Sequence, residues 1–327
     1  MKAFGITTFL LGGIGATLLI AHYGLGPVVS ALTALGWSGF AIILAFHLVL
    51  VVLMGLAWWL LGDDRVDARW YRFVWGRLIR DGASEVLPFS QIGGFVAGAR
   101  AATISGVNGS FAAASTVVDL TMELMGQLIY TALGLCLLAW LEPGNRVVGP
   151  VALGLGGMTA AAIVFLLVQA RGAGLVEQIG VRLSGQWLGE TLSSSRSMQT
   201  EIHRIHSRRR HLAISAAVHL LCWLLSGIEA WLTLRLMSVP ISATAAIVID
   251  SLIYGIRSFA FLVPNALGVQ EAAYVLLGAV FSVSPSSALA LSLTRRGRDI
   301  ALGTPVLLLW QLAEGGRVLS PVSRRQG

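Results

Sequence analysis

The sequence predicts an all-α, polytopic transmembrane helical bundle, and three observations carry that expectation. Of 327 residues, 56% are hydrophobic and only 12% are charged, about half the charged fraction of a soluble domain. The mean hydropathy is +0.78. Several apolar runs approach or exceed the roughly 20 residues that a helix needs to cross hydrocarbon. A chain of this composition has more apolar surface than a water-soluble fold can hide.

The runs follow in order. Ala3–Ala21 is marginal in length and follows Lys2; no small-residue cleavage site comes after it, so it reads as a retained first helix. Trp37–Leu61 is interrupted only by His47. Ser110–Trp140 is long enough although it carries Asp119 and Glu123, Val147–Ala170 follows, and Leu212–Leu236 carries Glu229 and Arg235. The last third, Ile241 to Arg317, is apolar but broken by Pro264, Pro285, Gly297 and Pro305. Together these give about seven or eight crossings in one membrane domain spanning the chain.

The net charge of +7 comes from 22 Arg and one Lys against 16 acids. A basic balance suits nucleic acid, but here the arginines fall in short segments between apolar runs, as cytoplasmic loops do. Residues 62–82 contain Arg65, Arg69, Arg72, Arg77 and Arg80 interleaved with Trp70, Tyr71, Phe73 and Trp75. That mixture suits a helix lying on an anionic membrane surface, or a solvated loop with interfacial anchors. Residues 171–211 form a second basic loop with Arg208-Arg209-Arg210. With both loops inside, the N-terminus and the C-terminal arginines also face the cytoplasm. Cys136 and Cys222 each lie in an apolar run, where an inert buried thiol is the default.

Two stretches resemble each other, within residues 83–140 and 242–317. Leu87-Pro88-Phe89-Ser90-Gln91-Ile92-Gly93-Gly94 precedes a short helix, a polar turn and an Ala-rich helix; Val263-Pro264-Asn265-Ala266-Leu267-Gly268 precedes the same sequence of elements. Backbone groups freed by such breaks must be paired in protein or water, never in lipid. Paired interrupted segments in two halves point to a transporter-like site, and the threading makes the two copies inverted. Two ordinary proline kinks are the plainer reading.

Ionisable residues inside these runs are the candidate site. Insertion of each costs about 2.5–3.5 kcal/mol, so they line a cavity or pair. Asp119 and Glu123 share one helical face, as do Asp250, Tyr254 and Arg257. Arg100 lies in the first short helix, Asn265 and Glu271 around the second break, and Arg295, Arg296, Arg298 and Asp299 later. One reading is a hydrophilic groove in which Arg100, Arg257 and Arg295 face phosphate-like oxygens of a lipid headgroup. A second makes Asp250–Arg257 and Asp119–Arg100 ion pairs that only fix helix packing. A third puts Arg295–Asp299 in a cytoplasmic loop. His47 and His219 read as packed helix residues, and His203-x-x-His206 supplies too few ligands for a metal. No nucleophile motif, phosphate loop or dinucleotide fingerprint occurs, so no catalytic residue, metal or cofactor is expected.

The segment 87–94 followed by Arg100, and the segment Pro264-Asn-Ala-Leu-Gly-Val-Gln-Glu-Ala272, resemble the two signature regions of the lysylphosphatidylglycerol synthase transmembrane-domain family. These are flippase-like polytopic proteins, and the overall pattern is similar to the branch associated with hopanoid biosynthesis. Asn265-Ala266 departs from the family's more glycine-rich loop. The resemblance implies a role in moving or presenting a lipid, a hopanoid or an anionic phospholipid, across the inner membrane. Bifunctional members carry a soluble aminoacyl-transferase domain after the membrane part; the chain ends at Gly327, so aminoacyl transfer is not expected. The rival readings are an intramembrane lipid-modifying transferase and a non-catalytic scaffold whose basic loops recruit peripheral enzymes.

Overall fold

The computed structural model describes residues 21–62, 69–86, 91–144, 188–259, 263 and 266–319, with scattered positions elsewhere. Most of the expected first helix at Ala3–Ala21, half of Val147–Ala170, and the breaks at 87–90 and 264–265 lie outside the described residues. The described residues are helical with short connections: α1 (Leu25–Trp59), α2 (Trp70–Val86), α3 (Gln91–Ile104), α4 (Gly109–Leu141), α5 (Leu188–Ser207), α6 (Arg209–Leu236), α7 (Ala243–Phe259), α8 (Val269–Val280) and α9 (Pro285–Leu319). Among them α1, α4 and α6 are long and apolar enough to cross a membrane.

Local chemistry accounts for the boundaries. Gly36 breaks α1 at φ 63° and ψ 175°, a conformation only glycine adopts easily, so the straight apolar part starts at Trp37 as the sequence predicts. Asn108 caps α4: its side-chain oxygen accepts from the backbone N–H groups of Ser110 at 3.0 Å and Phe111 at 3.2 Å. Gly268, at φ 78°, opens α8, and its N–H donates to Glu271 Oε2 at 2.8 Å.

Two expectations are corrected. The described part of the stretch 62–82 is not a solvated loop, because α2 packs against α1, α3 and α9 with Phe73, Val74, Arg77, Ile79 and Arg80 buried. Its arginines tolerate burial because carboxylates meet them there. The second basic loop contains a formed helix, α5, which packs on α4.

The packing has an internal symmetry. α1 packs on α2 and α6 on α7; α2 packs on α3 and α7 on α8; α3 packs on α4 and α8 on α9. Across the halves, α4 packs on α7 and α9 on α2, while α4 meets α6 and α9 meets α1. Exchanging α1–α4 with α6–α9 therefore maps the contacts onto themselves. His47 meets Glu229 and Leu50 meets Cys222, so α1 and α6 run antiparallel. Elements exchanged by a two-fold yet pointing in opposite directions need an axis perpendicular to them. The two quartets are thus an inverted repeat.

Close backbone approaches hold the quartets together. A Cβ at Gly55 would lie 2.6 Å from Val74 Cα, and one at Gly303 would lie 2.9 Å from Gly82 Cα. At Gly26 nothing lies within 4 Å. Gly55→Ala is therefore expected to destabilise the protein by about 1–3 kcal/mol through overpacking, while Gly26→Ala leaves it unchanged or slightly more stable. Thermal unfolding in detergent checks this; equal melting temperatures for the two variants would remove the tight α1–α2 crossing from the account.

Candidate functional site: a charged cavity between the two repeats

A cavity of about 430 Å³ lies where the quartets meet, within the range of small-molecule sites. α1 contributes His47 and Met54, α2 Arg77, Arg80, Asp81 and Glu85, and α3 Phe95. From α4 come Glu123 and Gln127, from α6 Trp223 and Ser226, from α7 Tyr254, Arg257 and Ser258, and from α9 Arg298 and Asp299. The wall is charged far from any helix end: Glu123 sits about 20 Å along α4 from its first residue.

Every arginine of the wall meets carboxylate. Arg77 donates to Asp81 Oδ2 at 2.8 Å and to both oxygens of Glu123, at 2.8 and 3.0 Å. Arg80 donates to Asp119 Oδ2 at 2.8 Å and to Glu123, with its guanidinium 4.3 Å from the centre of the Phe95 ring. Asp119, fully buried, also meets His219 Nε2 at 2.9 Å. Arg298 joins Glu229 to Asp299, and His47 Nδ1 lies 3.0 Å from the other oxygen of Glu229. Arg257 bridges the quartets by donating to both oxygens of Glu85, at 3.0 and 3.1 Å. Charges that could not be left alone in hydrocarbon are here held by one another.

Behind the wall, Arg295 pairs with Asp250 at 2.7 Å and donates to Tyr254 Oη at 3.1 Å and to the Ser226 carbonyl at 2.9 Å. Tyr130 donates to Asp250 Oδ2 at 3.0 Å. Trp223 stands edge-on to Tyr254, ring centres 4.5 Å apart, giving the cavity an aromatic side.

The sequence-predicted residues divide accordingly. Glu123, Tyr254 and Arg257 line the cavity, and Asp119, Asp250 and Arg295 stand one contact behind it. Glu271 lies elsewhere: Oε1 accepts from Arg296 Nε at 2.8 Å and from the Ser292 hydroxyl at 3.1 Å, fastening the start of α8 to α9. Arg100 is exposed on α3 and is not part of the cavity wall. Asn265 lies outside the described residues. The expected partners also change: Asp250 takes Arg295 in place of Arg257, and Asp119 takes Arg80 and His219 in place of Arg100. Arg295–Asp299 is inside α9, not in a loop. His203 and His206 turn Nδ1 to the carbonyls of Gln199 and Ile202. Sequence reasoning missed Arg77, Arg80, Glu85, His47 and Glu229. The spacing Arg77-x-x-Arg80-Asp81-x-x-x-Glu85 was the available signal, because it places all four on one helical face. Nor is the cavity framed by the two short helices, since α2, α4, α7 and α9 supply its charges and α3 adds only Phe95 among the described residues.

An all-helical bundle with spanning helices and a polar interior site is an integral membrane protein. Residues 4–306 match the family described as lysylphosphatidylglycerol synthase TM region, and the chain belongs to that family. No curated protein and no solved structure matches it.

Removing one partner of a buried pair costs about 3–5 kcal/mol, whereas replacing both by apolar residues costs far less. Arg295→Met alone is expected to destabilise the protein more than Arg295→Met combined with Asp250→Leu. Unfolding of both variants in detergent checks this, and strictly additive losses would show that the pair is not coupled.

Proposed function

We propose that this protein moves or presents a membrane lipid whose polar headgroup enters the cavity between the two repeats while its tails stay in the bilayer. The cavity itself carries the proposal: charged and hydrogen-bonding groups from both halves face one space deep within the helices. Membership of a lipid-handling membrane family supports the same reading. A headgroup offers what the wall recognises. Phosphate or hydroxyl oxygens exchange with carboxylates for the arginine donors, and Gln127, Ser226, Tyr254 and Ser258 add neutral hydrogen-bonding partners.

The lipid class is a hopanoid or an anionic phospholipid of the bacterial inner membrane, in a multi-pass topology with both termini inside. Arg257–Glu85 joins the quartets at the cavity. A headgroup that takes Arg257 from Glu85 loosens that tie and permits the repeats to rock, as alternating access requires. Transport leaves the lipid chemically unchanged, so no group-transfer residue is needed.

The protein reconstituted in phosphatidylcholine–phosphatidylglycerol vesicles is expected to move fluorescent phosphatidylglycerol between leaflets. Arg257→Ala should slow this about ten-fold or more, the loss of one charge-assisted hydrogen bond. Mass spectrometry of co-purified lipid identifies the natural ligand. A well-folded Arg257→Ala variant with an unchanged rate, or a chemically altered lipid, would overturn this reading.

A further inference from the structure

We propose that the cavity holds a second ligand, a proton, that His47 is the residue that takes it, and that its binding is coupled to headgroup entry. The inference rests on the cavity's assignment as a headgroup site, but it comes from a separate observation. Among the described residues, four arginines of the wall (Arg77, Arg80, Arg257, Arg298) face six carboxylates: Asp81, Glu85, Asp119, Glu123, Glu229 and Asp299. Of these, Asp119 and Glu229 are fully enclosed, and an enclosed carboxylate favours a positive charge beside it. Two histidines stand against this set, each within hydrogen-bonding distance of a carboxylate: His47 on Glu229 and His219 on Asp119. Protonation of either would place a further positive charge beside its carboxylate.

Geometry selects His47 as the exchanging member. A carboxylate only accepts, so the contact at 3.0 Å places the hydrogen of His47 on Nδ1. Nε2 is then the basic nitrogen, on a ring that lines the cavity and is 22% exposed. His219 is fully enclosed, with Nδ1 buried and unpartnered, so protons from cavity water reach His47 first.

The charges facing His47 come from every helix packed on α1. α6 brings Glu229 and the thiol of Cys222, α9 Arg298 and Asp299, and α2 Arg77, Arg80, Asp81 and Glu85 around the same cavity. Glu123 stands opposite on α4. The proton adds to Nε2 while Nδ1–H stays on Glu229, and imidazolium replaces imidazole with no bond broken. The added positive charge favours an anionic headgroup in the same space; when the proton returns to water, the headgroup is held less tightly. By linkage, each ligand then raises the affinity for the other.

Two readouts test this. In vesicles of phosphatidylcholine and phosphatidylglycerol, a pH difference of about one unit across the membrane should change the rate of fluorescent phosphatidylglycerol movement several-fold, up to the ten-fold that such a difference can drive. The ratio of rates with and without the gradient should fall to one in His47→Gln and persist in His206→Gln. The second readout needs no transport. The imidazole nitrogen resonances of His47, assigned by their loss in His47→Gln, should respond to pH in lipid nanodiscs. Adding phosphatidylglycerol to the nanodiscs should move that transition towards higher pH. A His47 resonance that ignores pH or lipid overturns the proton site whether or not lipid moves. A pH-responsive, lipid-sensitive His47 in a protein that moves no lipid supports the proton site and defeats only the transport reading.

Discussion

Buried carboxylate, paired before it can be tolerated, is the constraint on which the rest of the structure depends. Asp119, Glu229 and Asp250 are fully enclosed at membrane depth, and each is met by arginine from another helix. Such pairing does not add much net stability by itself, since desolvation offsets most of the attraction. It does specify which helices are neighbours. Arg80 must reach α4, Arg298 must reach α6, and Arg295 must reach α7. The apolar faces supply the cohesion and the charges set the arrangement.

The inverted repeat gives that arrangement its use. Asp119 on α4 takes an arginine from α2, while Arg295 on α9 takes an aspartate from α7, so the pair recurs in the second half with its signs exchanged. The halves are alike in packing and unlike in charge. Where they meet, their polar faces cannot close completely, and a cavity with walls from both remains. Arg257–Glu85, His47–Glu229 and Asp119–His219, with the Gly82–Gly303 approach, join the halves around it.

Much of the fold was legible in the sequence because the signals were long. The runs that became α1, α4 and α6 exceed the membrane-spanning length; the bounds of α4 and α6 fell close to the predicted ones, while α1 begins at Leu25, well ahead of the expected Trp37. The inverted relation followed from two proline-interrupted stretches and a charge-based threading. α2 was not legible: arginine and aromatic residues alternate along it, which reads as a surface helix unless the carboxylates of α4 are known to meet it. The same limit applied to the site. Intramembrane charges could be picked out one by one, but their partners lie far apart in sequence, Arg257 172 residues from Glu85 and His47 182 from Glu229. Spacing along one helix reveals a shared face, never the face opposite. Glu271 shows the converse, a buried acid after a chain break whose oxygens serve a helix start and a helix pair away from the cavity.

The central claim is that the space between the quartets is wet and open to polar groups although it lies within the bilayer. Ser258 lines it and is partly exposed, its hydroxyl accepting from Gln127 at 2.8 Å. The direct measurement is reaction of Ser258→Cys, in a background with Cys136 and Cys222 changed to Ser, with a charged, membrane-impermeant thiol reagent in sealed vesicles. The account predicts labelling, slowed when phosphatidylglycerol is abundant. A thiol at 258 that stays unreactive from both sides of the membrane in a folded protein would contradict it.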